Sequence, residues 1–144
     1  MAISTITVAS KMGKGFKTGI ECSNNFIIDQ PKAAGGNDEG PNPLEIFLSS
    51  LGGCICAIGR IVSTQKRLDV ERIDVKVEGD IDKDFLLGKT EEGRAGFTEI
   101  RAFVDVKADM SQSEKEVFVK EIQKRCPVAD NILNTSVIKP QVLD

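Results

Sequence analysis

One apolar stretch, from Pro43 to about Arg67, constrains this chain more than any other part of it. It follows Gly40-Pro41-Asn42-Pro43, in which Asn42 suits a helix N-cap and Pro43 a first helical position. Leu44, Phe47, Leu48, Leu51, Ile55, Ile58, Ile61 and Val62 then recur at the helical period. Few positions before Arg60 are charged, so most of this helix is expected to be surrounded by protein. Gly52 and Gly53 lie mid-helix, where each glycine costs about 1 kcal/mol when exposed. Such a pair predicts a close backbone approach by another element. Cys54 follows it directly.

Around the helix the pattern is that of strands and turns. Ile3-Ser4-Thr5-Ile6-Thr7-Val8 alternates as a half-buried strand does, and Asn25-Phe26-Ile27-Ile28-Asp29 reads as another. Residues 30 to 42 form a polar loop. Val70 to Asp80 and Thr98 to Lys107 read as an antiparallel pair joined through a charged, glycine-containing connection. Ser111 and Glu114 form a capping box for a helix to Lys124, with Val117, Phe118 and Ile122 toward the core. Cys126-Pro127 starts a second short helix with Cys126 as its cap. Val137 to Val142 reads as a final strand, placed at an edge by Pro140. Strands, then a long helix, then strands, then helices make an α+β fold, and residues 1–144 are read as one domain.

Composition removes several functions. With no Tyr or Trp and seven Phe, the chain has little material for stacking on bases. A net charge of −3 argues against nucleic-acid and anionic-membrane partners. With no basic leader and no long apolar run read as spanning, a cytoplasmic protein without a membrane partner is expected. Gly13, Gly15 and Gly19 lack the GK[ST] ending of a phosphate loop. The absence of histidine removes Ser-His-Asp and Cys-His pairs. Cys54-Ile55-Cys56 lacks zinc-knuckle spacing, so neither metal nor resident cofactor is expected.

Sulfur remains as the agent. The thiolate is the reactive form, and its pKa must fall for fast attack. Cys126, as a helix cap beside Lys124 and Arg125, has local positive charge. Cys54 lies deep in its own helix and needs a cation from elsewhere. A free cysteine in an apolar helix is also an ordinary core residue, so Cys54 reads either way on residue pattern alone. Cys56 points about 200° from Cys54 and reads as core or helix-interface filler. Cys22, in a strand-and-turn region, reads as structural.

Taken together, Gly40-Pro41-Asn42-Pro43-Leu44-Glu45-Ile46-Phe47-Leu48-Ser49-Ser50-Leu51-Gly52-Gly53-Cys54 and the later Cys126-Pro127-Val128 resemble the OsmC/Ohr family, named for osmotically inducible and organic hydroperoxide resistance proteins. The resemblance spans nearly the whole chain. It implies an intertwined α+β homodimer, with long central helices wrapped by bent antiparallel sheets. It also implies that Cys54 attacks an organic or fatty-acid hydroperoxide and becomes a sulfenic acid. Cys126 then closes a disulfide, which an external dithiol of the lipoyl type reduces. Two positions depart from the family pattern. No arginine precedes Arg60, which leaves Lys14 or Lys17 to favour the thiolate as point charges. The partner glutamate, Glu45, stands nine residues before Cys54 rather than ten, and Leu44 takes the usual place. These departures look like the OsmC-like branch. Two alternatives to the peroxidase accompany it: a non-enzymatic module that binds an apolar ligand or senses redox state at a dimer interface, and a thiol–disulfide exchanger.

Overall fold

A computed structural model describes residues 1–144. The chain gathers into two compact units, Met1–Phe47 and Leu48–Asp144.

In the first unit, β1 (Ala9–Met12), β2 (Thr18–Glu21) and β3 (Phe26–Ile28) form an antiparallel meander in that order. Ala9 pairs with Glu21, and Thr18 pairs with both Met12 and Ile28. Asn25 closes the β2–β3 turn by accepting the Cys22 N–H at 3.0 Å, the side chain standing in for a backbone turn. The loop after β3 is organised by Asp29, which is 1% exposed. Its carboxylate accepts the amides of Gln30, Asn37 and Glu39 at 2.8, 3.2 and 3.2 Å. Burial alone would raise this carboxyl. The three amides and the charge of Lys17 outweigh it and hold the group below the usual carboxylate range. Gly40 is required there, because a Cβ would overlap the Ile27 carbonyl.

The loop leads into helix α1 (Pro43–Gln65). Asn42 Oδ1 accepts the Glu45 N–H at 2.9 Å, and Glu45 returns a carboxylate to the Asn42 N–H at 3.1 Å. This reciprocal pairing satisfies two amides that helix starts leave open.

In the second unit, β4 (Val70–Ile81) and β5 (Phe97–Ala108) form a long antiparallel hairpin, with irregularities at Val70/Arg72 and Asp80/Ile81. The connection holds one short helix, α2 (Lys83–Leu86), capped by Asp82. Helix α3 (Gln112–Arg125) carries the expected Ser111–Glu114 capping box, and α4 (Pro127–Leu133) follows after Cys126. Leu51, Ile55 and Val62 of α1 pack with Val70, Val106, Phe118, Ile122, Cys126 and Ala129. Burying each large aliphatic side chain contributes about 1.5–3 kcal/mol. The content is α+β with antiparallel sheets, as the element order predicts.

Five expectations are corrected. Ile3–Val8 and Val137–Val142 are not strands: no strand of this chain lies beside them, and Ile6 and Ile138 are 89% and 85% exposed. Val117 is exposed, because Phe118 and Ile122, four apart, take the buried face and Val117 turns about 100° away. The closest approach to α1 is at Gly59, not at the glycine pair. A Cβ there would stand 2.5 Å from Ile73 Cδ1, whereas at Gly52 it would stand 3.6 Å from Val77 and at Gly53 nothing lies within 4 Å. Only Leu51, Ile55, Gly59, Val62 and Ser63 of α1 are buried, so its own chain covers one face of it. Finally, α1 is long and apolar enough by length and composition to cross a bilayer, with a mean hydropathy of 1.7, although no such run was expected.

Candidate active site at two cysteines

The second unit brings Cys54 and Cys126 together. Cys54 lies on α1 between Leu51 and Ile55, partly buried against the core. Cys126 stands at the α3–α4 junction, where its extended backbone (φ −77°, ψ 111°) ends one helix and starts the next. It is wholly buried. Pro127 occupies the first position of α4 and carries no N–H. The Ala129 N–H, two residues on, donates to Cys126 Sγ at 3.4 Å. Cys126 is therefore a true cap, with sulfur doing what a serine oxygen ordinarily does.

The Cys126 side chain and the Val128 amide are the neighbouring groups that act on the Cys54 thiol. Burial pushes the Cys54 thiol up, and Cys126 pushes it further, because two adjacent sulfurs resist a second negative charge. The Val128 amide opposes both. The sequence predicts a thiolate favoured by a nearby cation. Within this unit the net direction is the reverse, and no cation is among the groups acting on Cys54. Arg125, expected to lend positive charge, donates to Gln65 Oε1 at 2.8 Å and lies 3.9 Å from Glu121.

The supporting residues inferred from the sequence belong to the first unit. Glu45 is engaged in the α1 capping box. Lys17 pairs with Glu39 at 3.3 Å, and Lys14 is exposed in the β1–β2 turn. Cys56 donates to the Ile73 carbonyl at 3.6 Å and Cys22 to the Asn24 carbonyl at 3.1 Å, so neither joins the pair.

Two features had no sequence signal. One is the Val128 amide, a backbone group that acts on Cys54. On the β4–β5 hairpin, Arg101 binds Asp80 through two bonds of 2.8 and 2.9 Å, Glu99 at 2.7 Å and Glu78 at 3.1 Å. In the same unit an apolar cavity of about 280 Å³ is walled by Leu51, Ile55, Val104, Ile122, Ala129 and Ile132, among others, and neither cysteine lines it. Leu51 and Ile55 flank Cys54 in sequence along α1, and the Ala129 N–H donates to Cys126 Sγ.

Comparison with known proteins gives concordant results. A family model described as OsmC-like protein matches residues 35–141. An uncharacterised protein of Methanocaldococcus jannaschii is 30% identical over 92 residues, which are 63% of this chain and 44% of that protein. The chain thus spans under half the length of that relative. Among solved structures, an OsmC-like protein from Mycoplasma pneumoniae superposes with a TM-score of 0.79 at 19% identity, covering 92% of this chain and 89% of that one. An organic hydroperoxide resistance protein from Elizabethkingia anophelis gives 0.71 at 17% identity, covering 93% and 91%. An organic hydroperoxide resistance protein OsmC from Legionella pneumophila gives 0.68 at 19% identity, covering 92% and 91%.

Proposed function

The chain belongs to the OsmC-like protein family, and from that premise we propose that it reduces organic hydroperoxides with Cys54 and Cys126. The observation that carries this reading is that two cysteines distant in sequence share one core and act on each other's charge, one partly exposed and the other wholly buried.

The Cys54 thiolate attacks the terminal oxygen of ROOH, the O–O bond breaks, and a proton completes the alcohol ROH. Cys54 is left as a sulfenic acid. The Cys126 thiol displaces that hydroxyl as water and closes the disulfide, which protects Cys54 from further oxidation. An external dithiol, of lipoyl type, then reduces the disulfide and is itself oxidised. The aliphatic surround of Cys54 favours an alkyl or acyl hydroperoxide over hydrogen peroxide.

The active form is a homodimer in this reading. Gly53, Ala57 and Ile61 are exposed along α1, and the alternating segments at both ends of the chain have no strand partner within it. A second copy supplies cover for all three.

The test is turnover of tert-butyl or cumene hydroperoxide with a dithiol, wild type against Cys54→Ser. Equal consumption by both proteins removes the assignment. Intact mass after one equivalent of peroxide separates the steps. A loss of two hydrogens supports the disulfide, and a gain of oxygen without it opposes a resolving role for Cys126.

A further inference from the structure

Four aliphatic side chains form the floor of the cavity in the second unit: Leu51 and Ile55 of α1, Ile122 of α3 and Ala129 of α4, each 9% exposed or less. Its mouth is different. Ala102, Gln123 and Leu133 also line it and are exposed to solvent. The cavity therefore runs from the surface into the core. Close-packed interiors leave few voids larger than a water molecule, and this one holds about 280 Å³. Water gains little on such a floor, which offers it no hydrogen bonds. No Lys, Arg, Asp or Glu lines the cavity, and the Gln123 amide is the one hydrogen-bonding side chain that does.

We infer that this cavity binds a neutral aliphatic molecule with one hydrogen-bonding head, its chain on the floor of Leu51, Ile55, Ile122 and Ala129 and its head at the Gln123 amide. The volume sits just below the usual range of ligand pockets, about 300–1,000 Å³, so the chain is short to medium in length. Neutrality follows from the lining. A carboxylate or ammonium drawn into the cavity loses its hydration and meets no opposite charge. Gln123 offers both donors and an acceptor, so it serves a hydroxyl, an amide or an ester carbonyl alike. Neither cysteine lines the cavity, so the inference goes beyond the peroxidase reading and does not rest on it.

The test titrates octanol into the full chain and follows the isotope-labelled methyls of Leu51, Ile55, Val104 and Ile122 by NMR. Their shifts move and saturate. Hexanol binds more weakly, by about fourfold for each methylene removed. Octanoate, with the same chain and a charged head, binds about tenfold more weakly than octanol or worse. Gln123→Leu weakens octanol binding about fivefold, the scale of one neutral hydrogen bond. Ala102→Phe, at an exposed strand position in the mouth, blocks it. Methyls that stay still up to the solubility limit of octanol, or that respond equally to octanoate, overturn the inference, and an unchanged affinity in Gln123→Leu overturns the placement of the head. Nuclear Overhauser contacts from the Ile138 or Leu143 methyls to the floor in the ligand-free chain give the cavity to the terminal segment instead. Shifts that follow protein concentration rather than octanol give it to a second copy, and either result overturns the ligand site. No peroxide enters these measurements, so failure here leaves the turnover test standing, and the reverse also holds.

Discussion

Ala129 places its backbone N–H 3.4 Å from Cys126 Sγ, so the buried cysteine holds the start of α4 as well as facing Cys54. The two roles separate by substitution. Cys126→Ser retains an accepting atom and is expected to unfold in urea near the wild-type midpoint. Cys126→Ala leaves the Ala129 amide without that acceptor and is expected to lose about 1 kcal/mol. On the proposed mechanism neither variant can form the disulfide, so peroxide is expected to take Cys54 to sulfinic and sulfonic acid, visible as added oxygens by intact mass.

Alkaline pH is expected to destabilise the fold through Cys54. Its folded pKa lies above the ordinary 9.0. A thiol raised in the native state keeps its proton where the unfolded chain has lost one. Its stabilising contribution is complete below 9.0 and is lost as pH climbs from there through the folded value. Urea midpoints measured from pH 8 to pH 11 are expected to fall, and Cys54→Ser is expected to flatten part of the decline. An identical slope in the variant assigns the alkaline loss to other groups.

Arg101 sets the acid side. Its guanidinium holds both Glu78 and Asp80 below their ordinary values of 4.5 and 3.8. A depressed carboxyl contributes stability above its unfolded pKa and loses it as pH falls through the folded one. The hairpin is therefore expected to weaken below about pH 4 in wild type. Arg101→Gln leaves Asp80 and Glu99 without their partner beside Glu78, which keeps only Lys76 at 3.5 Å, so it is expected to cost more at pH 7 than at pH 3.5. Thermal melts at the two values check this. A penalty independent of pH is inconsistent with the ion cluster as its source.

Gly59 is where α1 meets both its neighbours. A Cβ there falls 2.5 Å from Ile73 Cδ1 and 3.1 Å from Ile122 Cδ1, both tips of flexible side chains. Gly59→Ala is expected to be close to neutral, since the tips yield and the helix gains up to about 1 kcal/mol in propensity. Gly59→Val adds branches that the tips cannot clear and is expected to cost about 1–3 kcal/mol. Urea denaturation of the pair reads the difference.

What could be read from the residues divides along a physical line. Local signals were legible: the Asn42 cap with Pro43, the Ser111–Glu114 box, the alternation of β4 and β5, and Cys126 before Pro127. Each is written in side chains a few positions apart. The pairing of Cys54 with Cys126 entered only through family resemblance, because no periodicity relates the two. The Asp29 anchor was invisible, since it depends on backbone amides whose direction is set by the fold. Ile3–Val8 and Val137–Val142 alternate correctly for strands, yet alternation specifies a half-buried face and names no partner. Those two segments and the open side of α1 are the places where the pattern asks for protein that this chain does not itself supply.

That demand makes the homodimer testable at Gly53. It is exposed, with nothing of its own chain within 4 Å of where a Cβ would stand. In a monomer, Gly53→Leu therefore introduces no clash and gains helix propensity, about 0.5–1 kcal/mol. In a dimer that packs helix against helix through Gly53 and Ala57, a leucine at the contact forces the two backbones apart. Wild type is then expected to sediment as a dimer and Gly53→Leu as a monomer or a weakened dimer, while Gly53→Ala stays near wild type. Analytical ultracentrifugation across a hundredfold range of concentration reads the outcome. Gly53→Leu that is both dimeric and more stable than wild type places the contact elsewhere on the chain, and a monomeric wild type removes the homodimer.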